Sequence, residues 1–143
     1  MTATTPATPP SRTMNTPVSI TAGRDRAAQI ILGLCAVGAL VATAATVGEV
    51  TDTDGAVRVA ETWRLGGLPV FAGLFLILAA APRRMAGLWE LVIANKLALV
   101  AAGATYLSGI EGANDFVYVD GVLVVLLVAA YVLARGWTAW SQR

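Results

Sequence analysis

Lys96 is the only lysine in this chain, and it lies inside Leu88–Leu107, an apolar stretch long enough to cross a bilayer. An amine in such a place has chemistry available to it, as a base or as a trap for a carbonyl. It also carries an insertion cost of roughly 2.5–3.5 kcal/mol near the middle of a spanning helix. A partner carboxylate, a bound ligand or a water-filled cavity must offset that cost. Glu90 and Asn95 lie on the same stretch, so it holds most of the chain's intramembrane polarity. At about 100° per residue, Glu90 and Lys96 stand roughly 120° apart on a helix, which excludes the usual i,i+4 ion pair. Glu90 lies near the start of the stretch, within reach of Arg83 or Arg84. Lys96 lies about 12 Å deeper than Leu88 by helical rise, so its partner must come from another helix. Glu49 and Asp120, reaching inward from helix ends, and the Thr43 hydroxyl are the candidates. No nucleophile–base pair assigns a reaction to these residues, and the catalytic residues, if any, are unknown.

Acids form a second constellation. Glu49, Asp52, Asp54, Glu61, Asp115 and Asp120 flank the ends of the apolar stretches. Asp52-Thr53-Asp54-Gly55 resembles the start of a calcium loop, but the later oxygen ligands and the closing glutamate are missing at the required spacing. A solvated acidic loop is the expectation, with no metal and no cofactor. Glu61 and Arg64, three residues apart, are expected to pair. Trp63-Arg64, Gly66-Gly67 and Pro69 suggest a bent entry into the second stretch, suited to an interfacial anchor or a head-group contact. Histidine is absent and cysteine occurs once, at Cys35. An intramolecular disulfide, a thiolate–histidine zinc site, a histidine-ligated haem and any histidine triad are thereby excluded. Cys35 reads as a small packing residue.

Composition explains where these groups must sit. The chain is 57% hydrophobic and 13% charged, with a mean hydropathy of +0.69. A soluble domain uses roughly 25% charged residues. A bilayer removes the need for that charged skin. The net charge of +1 leaves no field for nucleic acid, so none is expected as a partner. Residues 1–26, rich in Thr, Pro and Ser, read as a disordered tail. Four spans follow, at about 27–47, 65–81, 88–107 and 120–137, the second closed by Pro82 and the fourth opened by Asp120 as N-cap. The expected fold is all-α: a four-helix transmembrane bundle behind a disordered tail.

Charge placement orients that bundle. Arg24, Arg26, Arg83, Arg84, Arg135 and Arg143 fall on one side of four crossings; Glu49, Asp52, Asp54, Glu61, Glu111, Asp115 and Asp120, with only Arg58 and Arg64, fall on the other. The positive-inside rule then expects both termini in the cytoplasm of an inner-membrane, multi-pass protein. Trp89, Trp137 and Trp140 mark the inner boundary; Trp63, Phe116 and Tyr118 mark the outer one. A cleaved signal peptide ending at Ala42-Thr43-Ala44 is the competing reading. The long polar region before it and the continuation of the apolar run to Val47 disfavour it. Leu34 before Cys35 breaks a lipoprotein box. Gly38 and Ala42, like Ala98 and Ala102, are four apart and suit close helix packing, within the bundle or with a further chain.

The stretch Gly67-Leu68-Pro69-Val70-Phe71-Ala72-Gly73, a leucine-rich run, then Pro82-Arg83-Arg84-Met85-Ala86-Gly87 and Trp89 resembles the middle of DoxX-like proteins. The resemblance implies a small four-helix bacterial membrane protein of a family linked to redox and thiol homeostasis. The acidic loop Gly48–Arg64 and Lys96 have no counterpart in that pattern. Small multidrug transporters carry a proton-coupling carboxylate in their first helix, whereas Ala27–Val47 holds no acid, which argues against drug/proton antiport.

Two functional expectations result. The first is a non-catalytic accessory or interaction subunit of the cytoplasmic membrane, contacting the bilayer and either a membrane-protein partner or a second copy. The second is a small membrane enzyme or transporter that binds a hydrophobic substrate at Glu90 and Lys96. Orientation is testable in either case. Cysteines placed at Asp54 and Glu111 should react with an impermeant thiol reagent in intact cells, and one at Arg84 should not. Labelling at Arg84 alone would invert the topology.

Overall fold

The structure is a computed structural model describing residues 18–110 and 113–142. Long runs of Ala, Leu, Val and Ile, with few residues that compete for backbone hydrogen bonds, make four helices. They are α1 (Val18–Asp52), α2 (Gly55–Ala80), α3 (Leu88–Thr105) and α4 (Ala113–Ala134), followed by a terminal 3₁₀ helix (Gly136–Gln142). There is no strand among the described residues, so the chain is all-α as expected. All four helices are long and apolar enough to cross a membrane. The protein is a multi-pass membrane protein.

Three helix starts differ from the hydropathy pattern. α1 begins at Val18 and takes in Gly23–Arg26, the end of the expected tail; residues 1–17 lie outside the described residues. α2 begins at Gly55 rather than Leu65 and runs straight through Pro69. α4 begins at Ala113, so Asp120 is not its N-cap but sits about two turns inside it. The reason is common to all three. Hydropathy locates the depth at which a helix meets lipid, whereas the hydrogen-bond ladder continues into water wherever the local residues allow. At the head of α2 an Arg58–Asp54 ion pair (3.0 Å) supports those extra turns.

The two-residue link Thr53–Asp54 folds α1 against α2, the turn at 81–87 reverses the chain again, and residues 106–110 leave α3 in turns. α1 packs on α2 and α4, α3 packs on α4, and α2 meets α3 only sparsely. One end of the bundle gathers Arg24, Arg26, Arg83, Arg84 and Arg135; the opposite end carries Glu49, Asp52, Asp54 and Glu61, with Arg58 and Arg64. The apolar core belongs to the arginine half. It joins Ala28, Leu32, Cys35 and Ala36 of α1 to Phe75 and Leu78 of α2, Trp89 and Val92 of α3, and Leu127, Ala130 and Ala134 of α4. Above that core the buried groups include Thr46, Lys96 and Asp120. Thr46 donates to the Ala42 carbonyl of its own helix at 2.9 Å.

The arginine end is tied by groups that answer the free carbonyls of helix ends. Arg83 Nε donates to Ala134 O at 2.9 Å, and the same guanidinium pairs with Asp25. Arg24 donates to Val132 O at 3.3 Å. Trp89 Nε1 donates to Pro82 O at 2.8 Å, fixing the indole under the 81–87 turn. α4 ends at Ala134, and the φ of 51° at the next residue, Arg135, turns the chain into the 3₁₀ helix. There the backbone of Gly136 lies flat against two rings. A Cβ at this position would collide with the Tyr131 ring and meet Trp89 Cδ1 at 2.9 Å. Gly136→Ala should therefore lower stability by about 1–3 kcal/mol, as other overpacking changes do. Gly73→Ala, where a Cβ meets nothing within 4 Å, should change stability by less than about 0.5 kcal/mol. Denaturant unfolding in detergent reads both, and equal effects would remove the steric account.

Candidate functional site

Lys96 projects from the middle of α3 towards α4, where its Nζ donates to Asp120 Oδ1 at 2.7 Å. Both side chains are sealed, at 8% and 9% exposure. The Nζ also stands 4.4 Å from the centre of the Phe71 ring on α2. One cation thus joins three helices through an ion pair and a cation–π contact. Asp120 was among the candidate counter-ions in the sequence; its place inside α4, rather than at the helix start, is what brings the carboxylate to the lysine. Phe71 gave no signal in the sequence, because a phenylalanine in an apolar helix is ordinarily core. Glu49, the other acid candidate, lies at the acidic end, and Thr43 donates to Ala39 O of its own helix at 2.8 Å.

Glu90 has different partners. Its Oε1 accepts from Tyr131 Oη at 3.1 Å and from Trp140 Nε1 at 3.0 Å. Tyr131 is edge-on to both Trp89 and Trp137, with ring centres 5.6 and 5.7 Å apart. The carboxylate therefore anchors an aromatic collar at the arginine end, and the structure does not bring it to Lys96 or to the arginines. Asn95, the third intramembrane candidate, is exposed on the outside of α3.

At the opposite end Glu49, Glu61 and Asp54 are divided between two arginines, while Asp52 accepts from the Thr51 hydroxyl at 3.3 Å. Arg64 Nη1 meets Glu49 Oε2 at 2.9 Å and Glu61 Oε2 at 3.2 Å, which links α1 to α2 and includes the expected Glu61–Arg64 pair. Arg58 takes Asp54 and also donates from Nε to Thr53 O at 2.6 Å. Such exposed pairs contribute at most about 1 kcal/mol each. The Asp115 side chain lies outside the described residues. Among the described residues no group of three or more His, Cys, Asp or Glu is placed to hold a metal ion.

Two open grooves lie on the surface, of about 340 and 350 Å³. One is lined by Thr62, Trp63, Gly66 and Gly67 of α2, the other by residues of α4 between Val117 and Leu126. Neither has Lys96, Asp120 or Glu90 in its lining. No family model, curated protein or solved structure matches the chain.

The geometry of Lys96 and Asp120 suits a structural cross-link. Both ions are desolvated, and each neutralises the other, while the ring face supplies further attraction to the cation. Removing one member leaves the other buried and unpaired. Lys96→Met or Asp120→Leu alone should destabilise the folded bundle by about 3–5 kcal/mol, and the double variant should recover most of that loss. Unfolding of detergent-solubilised protein measures it. Additive losses would show that the two residues are not energetically coupled.

Proposed function

We propose that this protein is a non-catalytic accessory or interaction subunit of the cytoplasmic membrane, with both termini on the cytoplasmic side. The observation that carries the reading is the internal satisfaction of Lys96. Its ammonium has a carboxylate at 2.7 Å and an aromatic face at 4.4 Å, and both belong to the chain's own helices. A substrate-binding amine needs an unfilled space beside it. Here neither groove reaches it. The alternative, an enzyme or transporter acting through Glu90 and Lys96, is less well supported, because each of those groups is engaged with a different helix partner.

Orientation rests on the separation of charge between the two ends, with the arginine end facing the cytoplasm. The resemblance to DoxX-like proteins around Gly67–Trp89 is consistent with a small four-helix membrane subunit and forms part of the proposal. Affinity purification of the full chain from its native membrane in mild detergent should recover a partner at fixed stoichiometry, either a different membrane protein or another copy. A partner-free monomer in several mild detergents would overturn the reading.

A further inference from the structure

Asn95 is polar, central in α3 and unused by the fold. Its side chain is exposed and makes no hydrogen bond with any described residue, whereas Glu90 and Lys96 on the same helix are both engaged. It lies about 10 Å along the helix from Leu88. At that depth there is no water to serve the amide, and a carboxamide left facing hydrocarbon is costly. The residues around it are arranged for a helix contact. Leu91, Asn95, Ala98, Ala102 and Thr105 follow one another at spacings of four, three, four and three. At about 100° per residue they fall within roughly 80° of arc, the seam of a left-handed helix pair. Leu91, Ala98 and Thr105 are exposed with Asn95, and Ala102 is half-buried. Alanines at 98 and 102 permit close backbone approach.

The amide itself selects the occupant. A carboxamide carries both a donor and an acceptor, so two of them can satisfy each other reciprocally. Copies of one membrane protein insert with the same orientation. A twofold axis along the membrane normal therefore sets α3 parallel to α3, with Asn95 at the same depth in each. A different protein would have to place a polar side chain at that depth; a second copy does so by symmetry. The buried Lys96 charge does not oppose the approach, since it is turned inward and neutralised by Asp120. The exposed face of α1 at Leu34, Val37, Gly38 and Val41 offers no such polar group to set register.

We propose that the protein forms a parallel homodimer through the Leu91–Thr105 seam of α3, with reciprocal hydrogen bonds between the two Asn95 side chains. This rests on the interaction-subunit reading and names its partner as a second copy.

The full chain in liposomes, titrated by lipid dilution and read by energy transfer between labelled copies, tests it. The wild type should dimerise. Asn95→Leu should raise the dissociation constant by about threefold to tenfold, the range expected for an interhelical hydrogen bond in lipid. Asn95→Gln should restore most of the affinity. In a Cys35→Ser background, Ala98→Cys should form a disulfide-linked dimer under mild oxidation, and Val41→Cys should not. Since both of these positions are exposed, the variants can be checked for an unchanged unfolding midpoint. A dimer unaffected by Asn95→Leu, or cross-linking at Val41 as efficient as at Ala98, overturns the proposal. So does a monomer at every dilution; if that monomer nevertheless co-purifies with a different stoichiometric partner, the interaction-subunit reading stands and the homodimer falls.

Discussion

A single buried ion pair sets the terms for the rest of this bundle. Lys96 and Asp120 sit above the apolar core, on helices that already pack against each other, and the Phe71 ring adds α2 to the same cation. α2 and α3 otherwise meet sparsely, so this contact closes the side of the bundle where apolar packing is thinnest. A salt bridge in such surroundings adds little net stability over a well-packed apolar pair. Its value is geometric: an apolar helix can rotate or slide against another at small cost, but a desolvated ammonium has one place to be. Register between α3 and α4 is thereby specified in a structure whose other contacts are mostly Ala, Leu and Val.

The polar groups of the molecule sort into three kinds by how they are satisfied. Those inside the bundle are matched within the chain. Those at its ends tie helix termini, as Arg83 does for Ala134 and Asp25, and Glu90 does for Tyr131 and Trp140. Asn95 belongs to neither kind. Among the described residues the bundle resolves its internal polarity fully while leaving an amide exposed on its outer face. This distribution, more than any single residue, is what the proposed interaction-subunit reading rests on; the polar groups of an enzyme would converge on a cavity.

Fold class and the approximate membrane segments were legible in the sequence, because twenty-residue apolar runs leave few alternatives. The helix starts were not, since α2 and α4 continue as hydrogen-bonded helix through residues too polar for lipid. That error concealed the counter-ion's depth. With Asp120 assigned to a helix cap, no carboxylate stood at the level of Lys96; with α4 starting at Ala113, one does. The pairing of Glu61 with Arg64 was readable from spacing alone, but the addition of Glu49 required knowing that the α1–α2 link is two residues long. The aromatic collar around Glu90 joins residues about forty and fifty positions apart, and no local pattern announces such a contact. Ala98 and Ala102 were recognisable as a small-residue pair, though only the packed bundle shows that Ala98 faces away from it.

The helices are unequal in length, and the membrane must respond. α3 has 18 residues and α2 has 26, or about 27 and 39 Å of helix by rise. A hydrocarbon core of about 30 Å is overshot on one side of the molecule and not quite spanned on the other. The excess length of α2 lies at its head, Gly55–Ala60, where every residue is exposed and Arg58 is charged. α3 has no such spare length, and a helix that short is accommodated by local thinning of the lipid, by snorkelling of its flanks or by association. Where the film thins beside such a helix, the elastic energy stored there is relieved when two thinned flanks meet, so the bilayer itself can favour one side of a protein for contact.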